Sequence, residues 1–195
     1  GHQQGSFFWQ WDHRQSCQYF AGIGNLVNVS YDTPRRLKEK YGRLGYIIYG
    51  IKEFQGRLKM YNLRYTIDGQ THKGKYSFVF ITNSSRIAGF DNIYDDVKLD
   101  DNKFEVLFAN ITSKASLIKN LYILKTKDVR ELSDCEYYKT DNLKIEFDSV
   151  LPDSWCTDGE ELKHKRKSFN FTISKEISLL VPKTNIDKLF VNKEE

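Results

Sequence analysis

Trp155-Cys156-Thr157-Asp158-Gly159-Glu160-Glu161 sets carboxylates on either side of one glycine. With a turn at Asp158-Gly159, one carboxylate can accept a proton while the other orients a cation or a metal. The same residues also read as an exposed turn with charged flanks. Asp91, Asp95, Asp96, Asp100 and Asp101 form a second acidic group ahead of Phe104. Carboxylate and carbonyl oxygens of this kind suit Mg²⁺ or Ca²⁺, although the EF-hand spacing is missing, and a solvated loop is the competing reading. Lys163-His164-Lys165-Arg166-Lys167 could grip phosphate or simply be a solvated charge run. Arg35, Arg36, Lys38 and Lys40 stand at the start of a predicted helix, where unpaired N–H groups also favour phosphate. Gly22-Ile23-Gly24 lacks the third glycine of a dinucleotide fingerprint, and no GxxxxGK[ST] occurs, so the chain carries no phosphate loop of its own.

The elements that must position these groups are mostly strands. Alanine occurs only at positions 21, 88, 109 and 115, while Tyr, Phe, Ile and Val are plentiful. Asp68-Gly69 between the runs 57–67 and 71–81 is a two-residue hairpin signal, since both turn positions must accept positive φ. Further strands are expected over 6–11, 17–31, 104–110, 143–150, 168–174 and 177–181, spaced as in a sandwich or barrel. Two helices interrupt them. Thr33-Pro34 reads as an N-cap and first turn leading to an apolar face of Leu44, Ile47, Ile48, Ile51 and Phe54. Residues 112–124 place Leu117, Ile118, Leu121 and Leu124 on one face of the second.

Composition excludes several classes. An apolar fraction of 39% with 14% aromatics is too high for a disordered chain, and no apolar stretch is long enough to span a bilayer as a helix. The net charge of +4 suits anionic substrates or membrane surfaces without indicating nucleic acid. Three widely spaced cysteines, at 17, 135 and 156, indicate neither a disulfide framework nor a zinc site, and a reducing cytoplasm is expected. Gly1-His2 resembles the remnant of a cleaved tag, so the sequence reads as the later part of a larger protein.

Taken in order, Tyr19-Phe20-Ala21-Gly22-Ile23-Gly24, Thr33-Pro34-Arg35-Arg36-Leu37-Lys38 with Gly42-Arg43-Leu44-Gly45-Tyr46, Ile87-Ala88-Gly89-Phe90, Lys98-Leu99-Asp100-Asp101-Asn102-Lys103-Phe104-Glu105, and Thr157-Asp158-Gly159-Glu160 resemble the C-terminal half of bacterial diacylglycerol kinases and related lipid kinases. The resemblance implies a mainly β fold with a few helices: a two-sheet β-sandwich over residues 17–183, preceded by a poorly matched segment 1–16 and followed by a tail 184–195. It implies Asp158 as general base with Glu160 as its acidic companion, and Lys38, with Arg36, as basic residues facing the cleft. Lys98, Asp100 and Asp101 are implied as a structural magnesium loop. ATP would be the co-substrate, held mainly by an N-terminal GGDGT-bearing α/β domain that this sequence does not contain. The acceptor would be a lipid such as diacylglycerol, with peripheral membrane contact on the cytoplasmic side, no nucleic acid, and a homodimer left open. Thr157 stands where the family usually has an apolar residue, and Asn102 where it usually has glycine. A non-catalytic lipid or membrane-surface binding module is the alternative, and a structural or regulatory sandwich a third reading.

Overall fold

The structure is a computed structural model that describes residues 2–5, 8–11, 15–17, 20–24, 51–52, 57–84, 94, 96–124, 127–158, 160–174, 177–180 and 190–191. The strands are β1 (His2–Gly5), β2 (Phe8–Trp11), β3 (Gln15–Cys17), β4 (Phe20–Ile23), β5 (Tyr61–Ile67), β6 (Gln70–Tyr76), β7 (Phe78–Thr82), β8 (Phe104–Ala109), β9 (Cys135–Thr140), β10 (Asn142–Phe147), β11 (Ser154–Thr157), β12 (Glu160–Lys163), β13 (Ser168–Ser174) and β14 (Ile177–Leu180). One six-stranded sheet runs β3-β2-β13-β10-β5-β6 and the other β12-β11-β4-β7-β8-β9, while β1 and β14 pair as a separate ribbon. The expected two-sheet sandwich is the observed fold, with antiparallel pairing throughout.

The two sheets meet over one core. Tyr61, Leu63, Tyr65 and Ile67 alternate with exposed or half-exposed residues along β5, as period-2 patterning requires of a half-buried strand. They join Leu143, Ile145 and Phe147 of β10 and Phe169 and Phe171 of β13 against Ala21, Val79, Ile81, Val106, Phe108 and Trp155 of the other sheet. Burying an aliphatic or aromatic side chain of this size is worth about 1.5–3 kcal/mol, so this layer dominates stability. Where the edge strands β6 and β9 come together, Glu136 accepts hydrogen bonds from the hydroxyls of Tyr65 (2.6 Å), Tyr76 (2.8 Å) and Tyr138 (3.2 Å). That carboxylate ties the two sheets along their open side.

Strand β8 is buried at every position because both of its faces are covered. Phe104, Val106 and Phe108 enter the inter-sheet core, whereas Leu107 and Ala109 face outward under Tyr94, Val97, Val129 and Leu132 or under Leu117 of the helix α1 (Lys114–Ile123). Helix α1 fulfils the expectation for residues 112–124. Its N-cap is Ser113, with extended backbone and a side chain that accepts from the Ser116 N–H at 3.1 Å. Of the earlier predicted helix, only Ile51 and Lys52 are described, and Ile51 is buried beside Leu58, Phe78 and Ile111; the remainder lies outside the described residues.

Asp68 (φ 50°) and Gly69 (φ 77°) form the two-residue turn of the β5–β6 hairpin, with Ile67 opposite Gln70. The single strand expected over 71–81 is instead two, β6 and β7, which belong to opposite sheets. The crossing point is Ser77. Its N–H and its hydroxyl both donate to the Ala109 carbonyl (2.9 and 3.0 Å), and its Oγ accepts from the Ile111 N–H at 3.1 Å. A buried serine thus satisfies the backbone groups that a strand exchange would otherwise strand.

Candidate functional site

Asp158 sits at the tip of the β11–β12 hairpin. Thr157 pairs with Glu160, which leaves two residues for the loop, and Asp158 adopts φ 48°, as one position of a tight hairpin turn demands. The tip is fastened to β4 by two bonds to one residue, Phe20. Asp158 Oδ1 accepts from the Phe20 N–H at 2.9 Å, and the Asp158 N–H donates to the Phe20 carbonyl at 2.9 Å. Behind the tip, Trp155 is fully buried and packs on Phe169 (5.4 Å between rings) and Phe171 (5.3 Å), opposite Leu162. An exposed carboxylate is therefore carried on a turn whose base is anchored in the core and whose tip is bonded to the neighbouring strand. Glu160 is exposed at the other end of the same turn. The turn expectation for Asp158-Gly159-Glu160 and the catalytic one draw on the same geometry: a proton acceptor that is exposed, fixed in direction and next to a second carboxylate.

Lys38 and Arg36 lie outside the described residues. The third predicted group, Lys98, Asp100 and Asp101, lies in the segment that leads into β8. Asn102 there has φ 58°, so asparagine itself adopts the left-handed conformation that glycine adopts most readily. Asp101 Oδ1 accepts from the Lys103 N–H at 3.0 Å, and Asp101 Oδ2 pairs with Lys139 Nζ at 2.7 Å. Asp100 Oδ1 accepts from the Val191 N–H at 2.6 Å. Both carboxylates are already engaged by N–H groups or an ammonium. Among the described residues no three His, Cys, Asp or Glu side chains are grouped so as to share a metal ion. The donor types suit a hard cation, and in this structure Asp100 and Asp101 each already spend oxygens on N–H groups or on the Lys139 ammonium.

A cross-strand row connects the two predicted acidic groups. Phe20 is opposite Thr82, Thr82 opposite Glu105, and Glu105 opposite Lys139, so one line across four strands runs from the Asp158 tip to the acidic loop. Directly opposed residues share a face, which here is the outer one, and three strand spacings separate Phe20 from Lys139 by roughly 14 Å. The fold brings Asp158 and the Asp101 loop to one end of one sheet without joining them in a single cluster.

Glu105 was not foreseen as a special residue. It is fully buried, its carboxylate oxygens accept no hydrogen bond from the described residues, and Lys139 Nζ stands 3.6 Å from Oε1. Burial pushes its carboxyl up to about 8, against the opposing pull of Lys139 and with Asp101 and Asp96 adding to the rise. Tyr94 and Tyr137 nearby are also raised, mainly by burial. The sequence signal was available: Glu105 is the one charged residue inside the run Phe104–Ala109. Unfolded, the carboxyl titrates near 4.5, so between that pH and about 8 the folded protein holds a proton the unfolded chain has lost. The contribution of this group to stability is largest below this window and is lost as pH rises through it. Urea midpoints taken across the window should fall toward alkaline pH in the parent sequence, whereas Glu105→Gln should flatten the slope and be the more stable protein at the alkaline end. An equal slope in both would assign the effect to another group.

No protein-family model matches the chain. Diacylglycerol kinases of Staphylococcus aureus strains JH9 and Newman are each 32% identical to it over 107 residues, which cover 53% of this chain and 34% of theirs. In fold it is similar to a candidate diacylglycerol kinase of Bacillus anthracis str. Sterne (TM-score 0.72, 20% identity, 94% of this chain and 59% of that one). A diacylglycerol kinase structure from the same organism aligns with TM-score 0.66 and 18% identity over 95% of this chain and 58% of that one. The chain thus spans little more than half the length of these solved relatives and aligns with about a third of the curated ones. The sequence resemblance to lipid kinases and the sandwich architecture agree.

Proposed function

We propose that this chain is the β-sandwich part of an ATP-dependent lipid kinase, with diacylglycerol as acceptor. The observation that carries the reading is the Asp158 tip: an exposed carboxylate on a two-residue turn, aimed by the Phe20 N–H, in a fold shared with diacylglycerol kinases. In this reading the acceptor hydroxyl attacks the γ-phosphorus of ATP, its proton passes to the Asp158 carboxylate, and the bond to the β-phosphate oxygen breaks to release ADP. Glu160 adds negative charge beside the reacting groups, and Lys38 and Arg36 would face the cleft. ATP, with its magnesium, enters as substrate and would be held chiefly by an upstream nucleotide-binding half carrying the GGDGT motif. No step runs through the Lys98–Asp101 loop.

A lipid acceptor requires access to a bilayer surface. Among the described residues no helix is long and apolar enough to cross a membrane, so the contact we propose is peripheral, on the cytoplasmic face. The test is phosphoryl transfer from radiolabelled ATP to diacylglycerol in mixed micelles. The full-length parent should form phosphatidic acid and this chain alone should form none. A parent that binds ATP yet phosphorylates no lipid hydroxyl would exclude the assignment.

A further inference from the structure

The acidic loop ahead of β8 contains a cation of its own. Lys139 leaves β9 on the outer face opposite Glu105, and its ammonium bonds two oxygens, Asp101 Oδ2 at 2.7 Å and the Asp96 main-chain carbonyl at 3.0 Å, while standing 3.6 Å from Glu105 Oε1. Carboxylate and main-chain carbonyl oxygens are the donors from which proteins build sites for hard cations. Here they converge on an ammonium. The cluster is largely withdrawn from water, with side-chain exposures of 23% for Lys139, 16% for Asp101 and 0% for Glu105, so salt screens it far less than a surface pair. On the flank, Arg130 binds Asp128 at 2.7 Å and approaches Asp96 at 3.8 Å, so those two carboxylates are drawn to a second side-chain cation.

The other oxygen of Asp101 shows what the arrangement holds in place. It accepts from the Lys103 N–H across Asn102, the residue with positive φ that turns the chain into β8. We propose that Lys139 is the resident cation of this loop, supplying the charge that the family resemblance assigns to a structural magnesium, so that the loop keeps its shape without bound metal. The proposal concerns the architecture of this chain and stands apart from whichever reaction its parent performs.

Thermal unfolding and hydrogen exchange of this chain, in excess MgCl₂ and in EDTA, test it with Lys139→Met, which keeps the aliphatic stem, and Lys139→Arg, which keeps the charge. Magnesium should move the melting temperature of the unaltered chain by less than ~1 °C, since a ligand that does not bind the folded state cannot stabilise it. Lys139→Met should melt roughly 3–10 °C lower, as expected when one partner of a mostly buried charge cluster is removed from a chain of this size. Its amides over 96–103 should exchange faster than the same amides of the unaltered chain, with a smaller change in the distant β5–β6 hairpin, and Lys139→Arg should recover most of the loss. A saturable rise of several degrees with magnesium in the unaltered chain would overturn the proposal, as would a Lys139→Met protein with unaltered melting and unaltered exchange over 96–103.

Discussion

On the proposed function, Asp158→Asn should lower kcat of the full-length parent by about 10²–10⁴-fold and leave its unfolding midpoint where it was. The two halves of that expectation have separate physical sources. Asparagine keeps an Oδ1 that can accept from the Phe20 N–H, and it is among the few residues that occupy the left-handed conformation at little cost, so the φ of 48° is retained. The substitution therefore disturbs neither the two-residue hairpin nor its attachment to β4. What disappears is a carboxylate able to take the proton from the attacking hydroxyl, worth about 3–5 kcal/mol of barrier. An exposed turn substitution without such a role moves stability by ~0.5 kcal/mol and rate hardly at all. Lipid phosphorylation and urea unfolding measured on the same preparation separate the cases. A variant within about threefold of the parent rate would make Asp158 a turn residue only.

Trp155→Ala should be the most damaging single change to folding among the residues that support the site, at about 3–5 kcal/mol, or roughly 6–20 °C in melting temperature for a chain of this length. Trp155 is fully buried, meets Phe169 and Phe171 of the opposite sheet, and stands opposite Leu162 in the hairpin that bears Asp158. Truncation leaves a cavity bounded by two rings of the opposite sheet, which cannot collapse without moving strands that are each hydrogen-bonded to neighbours. Trp155→Phe should recover more than half of the loss, because a smaller ring still occupies the space between the two phenylalanines. Urea midpoints of the three proteins give the comparison. Equal losses for Ala and Phe would mean that the indole is held by something other than packing.

Much of the sandwich could be read from residue types alone, because most inner-face residues alternate with polar ones and Asp-Gly marks a turn at 68–69. The strand expected over 71–81 failed at Ser77, where an unremarkable serine satisfies two backbone groups from across the fold, a role visible only once Ala109 and Ile111 are beside it. Strand β9 escaped notice for a different reason. Tyr137 and Tyr138 each find an apolar layer, one under Tyr94 and the other against Tyr65 and Phe108, so the strand shows no period of two. Without β9 there was no way to see that Lys139 faces Glu105 and Asp101. The Asp158 turn was legible from four residues because its requirements are local, whereas the bond to Phe20 that aims it spans 138 positions.

The exchange of sheets at Ser77 has a bearing on heredity. The chain passes from one sheet to the other between β3 and β4, β4 and β5, β6 and β7, β9 and β10, β10 and β11, and again between β12 and β13. Any break between β4 and β12 consequently divides both sheets at once and leaves each fragment with apolar strand faces whose cover is incomplete. A recombination event with a breakpoint inside that span would deliver two half-sandwiches, neither able to bury its core. Exchange at either flank of the span would carry the Asp158 hairpin, the acidic loop and Lys139 together. Selection on folding alone would therefore keep these three features linked as one inherited block, even in a lineage where their chemistry had ceased to matter.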